Sequence, residues 1–486
     1  MTHARTLSSA LAFAVGSAVL SVSCALAADS APSPAQADIT QVAARLSTEA
    51  VGGTKAFEIV RSLTVEVGPR LAGSEGDARA VDWAAKKLAA LGFENVRAEP
   101  VEVPHWERGK NAGTILSPWP QPVALTALGG SVASPPGGLE AEVVGVANLE
   151  ALQKLDPALA KGKIVFVGNR MERKPDGSGY GAAVGVRGIG ASEAAKKEAV
   201  GLLIRSVGTD SNRLPHTGAM RMTEGEPTVP AAALSAPDSD LLEAQLASGR
   251  AVRFRLELET KRFPNAPSAN VIGEIPGRDA GTDREEFILL GAHLDSWDLG
   301  TGAIDDGAGC AIVIEAARRI GQLPPAERPR RTIRVVLFAN EEFGLSGARA
   351  YAAAHKAELG RHVAAAEADF GSGRVRRIRT RINPAALPDF AKIAEITKPL
   401  GVEFSSSNDS GGGADLSPLA PDNVPVIGFD QDGTGYFDIH HSANDTLDKI
   451  DPKDLDQVVA AWTGVIYAVA AADLELRPAP ALPARE

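Results

Sequence analysis

Between residues 291 and 309 the chain reads GAHLDSWDLGTGAIDDGAG, with one histidine, four aspartates and five glycines directly after the apolar run Phe287-Ile288-Leu289-Leu290. His293 and Asp295 close that run, and Asp305-Asp306 follow at the start of a helical pattern. Further on come Glu341-Glu342 after TIRVVLFAN, Asp369 after VAAAEA, and His440-His441 after VPVIGFD. Carboxylates converging on one site without a counter-charge repel one another and raise each other's pKa, at a cost of several kcal/mol. A positive partner must stand among them, and a divalent cation is the simplest one. Imidazole and carboxylate donors without thiolate suit zinc, cobalt or manganese rather than a structural thiolate zinc site. Two ions about 3.5–4 Å apart would use two histidines and three carboxylates and leave one carboxylate for proton transfer. Asp295, two residues from His293, is placed to accept the second imidazole N–H and fix its tautomer.

The elements that carry these residues alternate strand and helix after Asn265. FILLGAHLD is followed by a helix over 307–320, then the strand TIRVVLFAN, a helix over 346–355 and the strand VAAAEADF. Continuous apolar strands alternating with helices predict an α/β fold: a mostly parallel (mixed) central sheet flanked by helices. Ligands bind outside the carboxyl ends of such strands, which is where the unusual residues fall. Two helical patterns between 40 and 95 flank the turn-rich VGPRLAGSEG. From 104 to 262 the texture changes to short β-rich pieces (EAEVVGVAN, GKIVFVGN, VGLLIRSVG, VRFRLELET) with helical interruptions, read as a separate β-rich insert. No His/carboxylate cluster falls there, so no chemistry is expected of it.

The chain is thus divided into a signal peptide 1–27, a linker 28–38, a catalytic domain in two parts (39–103 and 263–475) around the insert 104–262, and a tail 476–486. The signal rests on Arg5, the apolar stretch Leu11–Val22 and the small-residue pattern Ala25-Leu26-Ala27. It implies export, to the periplasm or outside the cell. Cys24 offers a lipid-anchored alternative, which the residues before it argue against. Only Cys310 then remains, so no internal disulfide forms, and Cys310 is expected to be buried packing. The linker and tail are expected to be mobile. A net charge of -11 argues against nucleic acid or an anionic membrane as partner. The run Val458–Ala472 is too short to span a bilayer and, with Asp451 as cap and Pro452 at the first turn, predicts a buried helix. His105, His216, His355 and His362 lie away from the strand ends and are read as surface or packing residues.

Each motif alone has an ordinary structural reading: a strand-end histidine, a helix cap, a solvated turn. Together, GAHLDSWDLGTGAIDDGAG, FANEEFGLSGA, EADFGSG and YFDIHHSANDTLD resemble, in order and spacing, the co-catalytic di-zinc aminopeptidase family, in particular its plasma glutamate carboxypeptidase branch. The resemblance implies a phosphorylase/hydrolase-like zinc exopeptidase fold with a protease-associated domain inserted. It implies His293, Asp305, Glu342, Asp369 and His441 as ligands of two Zn2+, with Asp305 bridging, and Glu341 as general base. His441 is selected over His440 by its spacing to Asp445. Tyr436 is a candidate hydrogen-bond donor to the tetrahedral intermediate. The implied substrates are short peptides, chiefly dipeptides with free ends, and the implied assembly is a homodimer. An aminopeptidase acting on longer peptides, or a binding module of the same fold without catalysis, are the alternatives.

Overall fold

Eight strands make up the central sheet: β1 (Glu94–Glu107), β2 (Lys261–Ile275), β3 (Phe287–His293), β4 (Thr332–Phe338), β5 (His362–Glu367), β6 (Val375–Arg381), β7 (Glu403–Phe404) and β8 (Val426–Gln431). They lie in the order β1-β2-β4-β3-β5-β8-β6-β7 in the computed structural model, which describes residues 39–221 and 223–481. The four inner strands, β4, β3, β5 and β8, run parallel, while β1, β2 and β6 pair antiparallel toward the edges. The sheet is therefore mixed, with its parallel part where the sequence places the chemistry.

The inner strands are mainly apolar because both faces are covered, and successive side chains point to opposite faces. Ile288, Leu290 and Ala292 of β3 join one core cluster with Ile333, Val335 and Leu337 of β4. Leu289, Val336 and Phe338 point the other way, into a second cluster with Tyr351 and Leu416. The helices Ile39–Val51, Ala56–Glu66, Ala308–Gly321 and Pro452–Ala471 supply the first cover. In the last of these, Asp451 caps the Lys453 amide, Pro452 opens the first turn, and the buried Trp462 stacks on Phe429 at 4.4 Å. Among the described residues no helix is long and apolar enough to cross a membrane.

Register decides where the strands end. β3 and β4 pair from Phe287↔Thr332 to His293↔Phe338, and β3 meets β5 at Gly291↔Glu367. Three chain exits thus fall side by side: His293 to Asp295, Ala339 to Glu342, and Ala368 to Asp369.

Residues 104–262 contribute a second eight-stranded sheet, ordered Gln121–Val123, Asn111–Ser117, Arg253–Leu258, Leu139–Val146, Ile164–Val167, Gly201–Arg205, Ala231–Leu234 and Leu125–Ala127. It belongs with the first sheet to one compact unit, 37–486. Arg108 binds Asp298 through both guanidinium nitrogens, at 2.8 and 2.6 Å, and Arg173 binds Asp438 at 2.8 and 2.6 Å. Both carboxylates lie in loops of the central sheet.

Two sequence expectations need correction. The first helical pattern after residue 39 is two helices, because Gly52-Gly53-Thr54 interrupts it and Gly53 takes a φ of 131°. The described part of the tail is anchored rather than mobile: Leu476 is buried, and Arg477 donates to the carbonyls of Leu359, His362 and Asp422. The signal peptide and linker lie outside the described residues.

At the opposite edge of the sheet from the strand exits, Arg334 bonds Glu274 at 2.8 Å and Glu358 at 2.6 Å, and His355 joins Glu358 to Glu99. Burial alone would pull the His355 imidazole down, but its bonds to Glu358 and Glu99 outweigh that and hold it at about 9, above its unfolded value of 6.5. The stability this contributes is full below pH 6.5 and is lost as the pH rises through about 9. His355→Gln should therefore lower the melting temperature at pH 6 and lower it much less at pH 10. Calorimetric melts at the two pH values test this, and an equal loss at both would refute it.

Candidate metal centre

Every residue singled out for the site converges at the carboxyl edge of β3, β4 and β5. His293 ends β3; Asp305 and Asp306 stand in the wide turn Ala303–Gly307 that opens the helix Ala308–Gly321. The two aspartates divide their work. Asp306 faces the helix and strand, its Oδ1 accepting the Gly309 amide at 3.0 Å and its Oδ2 the His293 amide at 3.1 Å. Asp305 faces the cluster, with Oδ1 3.1 Å from Nε2 of His293 and Oδ2 3.3 Å from Nε2 of His441. One carboxylate thus stands between two imidazoles. Asp369 lies 3.5 Å from Nε2 of His293, and Glu342 lies 3.0 Å from Nε2 of His441.

Asp295 does more than the sequence suggests. His293 Nδ1 is 3.1 Å from the main-chain oxygen of Asp295 and 3.5 Å from its carboxylate, so Asp295 offers the ring two acceptors, the carbonyl the nearer. The carboxylate also accepts the amides of Glu341 at 3.0 Å and Glu342 at 3.4 Å, tying the exit of β3 to that of β4. A carboxylate following a strand end is free to serve a neighbouring loop, which spacing along one strand does not reveal.

Several residues that position the site were not singled out from sequence. Arg70, fully buried, donates to the carbonyls of Thr301 and Gly302 at 2.8 Å each and braces the glycine-rich loop. Asp445 accepts the amides of Ile304 at 2.6 Å and Asp305 at 3.3 Å. Trp297 Nε1 donates to Glu342 at 2.6 Å. The insert, from which no chemistry was expected, reaches the centre too. The Thr217 carbonyl lies 3.3 Å from Nδ1 of His441, its amide donates to the His441 carbonyl at 2.8 Å, and Arg187 approaches the same ring. His216 is a packing residue with a function, since it is buried between Asp210 and the His440 carbonyl, 2.7 and 2.6 Å away. His440 stacks on His441 at 3.5 Å. Cys310 is buried, its thiol pushed up by burial and by Asp306.

The electrostatics match the donor set. Burial pushes the Glu341 carboxyl well above its ordinary range despite His293, and Asp369, Glu342 and Asp295 push it further. Burial likewise raises Asp369, with Asp305 adding to the effect. Asp305 Oδ2 and Glu342 Oε1 are buried with no hydrogen-bond partner. Acceptors that cannot all ionise together, with orphaned oxygens turned inward, suit a divalent cation. Ligand-type atoms of three groups lie within 4.8 Å of one another: His293, Asp305 and Glu342; Asp305, His440 and His441; and His293, Asp306 and Asp369. The centre opens into a cavity of about 960 Å3, whose lining includes Glu341, Tyr436, Phe343 and Arg187.

Residues 270–466 match the model of peptidase family M28. Carboxypeptidase Q of Bos taurus is 34% identical over 438 residues, which cover 90% of this chain and 89% of that protein. The chain belongs to peptidase family M28. It is a zinc metallopeptidase. The crystal structure of a peptidase M28 precursor from Shewanella amazonensis SB2B is similar at a TM-score of 0.88 and 48% identity, covering 91% of this chain and 99% of that one. A zinc aminopeptidase from Bacillus subtilis shares the fold at a TM-score of 0.62 and 21% identity, over 86% and 95% of the two chains.

A ligand that binds the folded chain at a concentration 100-fold above its dissociation constant adds about 2.7 kcal/mol. Zinc should raise the melting temperature of metal-stripped protein by a few degrees. Asp305→Asn should abolish that rise, and because it removes the anion paired with His293 and His441 it should also lower the melting temperature of the metal-stripped protein, so the zinc effect is read within each protein. Thermal melts of both proteins with and without zinc decide, and a zinc-induced rise that survives the substitution would exclude Asp305 as a ligand.

Proposed function

We propose that this M28 peptidase is an exported di-zinc exopeptidase that hydrolyses short peptides, chiefly dipeptides with both ends free. The observation that carries the reading is Asp305 standing between His293 and His441 at the floor of a cavity walled on its far side by the insert. His293 and Asp369 would hold one ion, Glu342 and His441 the other, and Asp305 would bridge them. When bound, two such ions would polarise the scissile carbonyl and acidify the attacking water. Zinc is the metal of the Bacillus subtilis aminopeptidase that shares this fold, and the thiolate-free donor set suits it. Export rests on the sequence pattern of residues 1–27.

Glu341 is the group left over for proton transfer. Its neighbour Glu342 is engaged by Trp297 and faces His441, whereas Glu341 lines the cavity with its amide fixed by Asp295. It takes the proton from water as the carbonyl is attacked and passes it to the leaving amine. Tyr436 also lines the cavity, and burial keeps its phenol protonated, so it offers a hydrogen bond to the oxyanion. The insert is read as a protease-associated domain whose wall limits substrate length.

The test presents one dipeptide free, N-acetylated, and extended by three residues at its C-terminus. Hydrolysis of the free form alone, abolished by a chelator, is expected. Efficient trimming of the extended peptide would make the enzyme an aminopeptidase, and no cleavage of any form would favour a binding module. Glu341→Gln should lower kcat by about 10³-fold or more, within the range of lost general acid–base catalysis, with bound zinc unchanged by elemental analysis. A variant with full activity would refute the assigned base.

A further inference from the structure

Arg187 lies in the first turn of the helix Gly185–Lys196 of the insert and is only 8% exposed. Its Nη1 is 3.3 Å from Nδ1 of His441 and 3.4 Å from the Thr217 carbonyl, and its Nη2 donates to the Tyr180 hydroxyl. Its Nε is buried without a partner. None of these neighbours is anionic, and Arg187 makes no ion pair among the described residues. A buried cation without a counter-charge is costly. Its place in a first helical turn adds to the cost, because that end of the helix dipole is positive.

The surroundings are shaped to keep the guanidinium there. A Cβ on Gly218 would come within 2.3 Å of Nη1, and Gly218 takes a φ of +133°, so a residue with a side chain would displace the arginine. The Tyr180 ring carries the guanidinium on its face at 5.4 Å and is itself stacked on Phe437 at 5.0 Å. A rigid, buried, uncompensated cation that lines the cavity is a site for an anion brought by the ligand.

The position of the site along the substrate follows from the His441 ring. That ring separates Arg187 from the carboxylates of Glu342 and Asp305, which lie 3.0 and 3.3 Å from its other nitrogen. One residue of extended peptide spans about 3.5 Å. A substrate whose peptide bond lies over the Asp305 and Glu341 cluster has only to pass that one ring for its terminal anion to come into range of Arg187. We propose that Arg187 binds the substrate's C-terminal α-carboxylate, so that the insert selects bonds followed by a single residue. This assignment rests on the exopeptidase reading above and names the group that gives it its specificity.

The experiment compares kcat/KM for a free dipeptide and for the same dipeptide as its C-terminal amide, with the zinc-loaded full-length mature enzyme. Removing one partner of a buried charged pair weakens binding strongly, so the native enzyme should prefer the free acid by about 100-fold. In Arg187→Met that preference should collapse, mainly through a higher KM for the free acid, and Arg187→Lys should retain part of it. Equal turnover of acid and amide by the native enzyme would overturn the assignment without any variant having to fold, and leave the exopeptidase reading standing. An equal fall in kcat for both substrates in Arg187→Met would also overturn it, marking the arginine as a support for His441. No hydrolysis of either substrate by the native enzyme would remove the exopeptidase reading and this inference with it.

Discussion

Several carboxylates must be kept close together and away from water at the edge of a sheet, and their mutual repulsion organises the structure around them. The protein meets with its own backbone amides those it does not turn inward. Asp306 is held by the amides of His293 and Gly309, Asp295 by those of Glu341 and Glu342, and Asp445 by those of Ile304 and Asp305. Hydrogen bonds of this kind stabilise the charged form and fix the loop that donates them. Among the buried carboxylate oxygens left without partners, those on Asp305 and Glu342 belong to the inner group that meets His293 and His441, and both oxygens of the buried Asp415 are unpartnered as well. Asp306, Asp295 and Asp445 thus have each oxygen on an amide, while Asp305 and Glu342 keep free lone pairs.

Such an arrangement needs a frame that does not yield. Parallel strands packed on both faces supply it, since β3 and β4 are buried along their whole length, β5 up to Glu367, and the register between them fixes three exits in one row. A slip of one residue would turn every side chain of a strand to the opposite face. It would also carry His293 or Asp369 out of reach of Asp305. Arg70 then braces the loop from Leu294 to Gly302 by donating to the carbonyls of Leu294, Thr301 and Gly302.

The second sheet completes the centre rather than standing beside it. Its Thr217 pairs with the backbone of His441 and offers a carbonyl to the imidazole, the kind of outer partner that fixes a ligand's tautomer. Arg108 and Arg173 fasten it to two loops of the central sheet. The described residues of both sheets therefore fall in one compact unit.

By itself the sequence determined the alternation of buried strands and helices, the position of the C-terminal helix with its Asp451 cap, and which residues could meet a cation. Those features are local: apolar runs, caps, and chemically unusual residues at strand ends, each readable within a dozen positions. What tertiary structure decided is which groups share a neighbourhood across long stretches of chain. Asp445 beneath Asp305, Arg70 under the glycine-rich loop, Trp297 on Glu342, and Thr217 and Arg187 against His441 look ordinary in sequence. Their partners lie as many as 254 residues away, and no periodicity or spacing encodes such a meeting. The tail was misread for the same reason: Arg477 is held by three carbonyls that only folding gathers in one place.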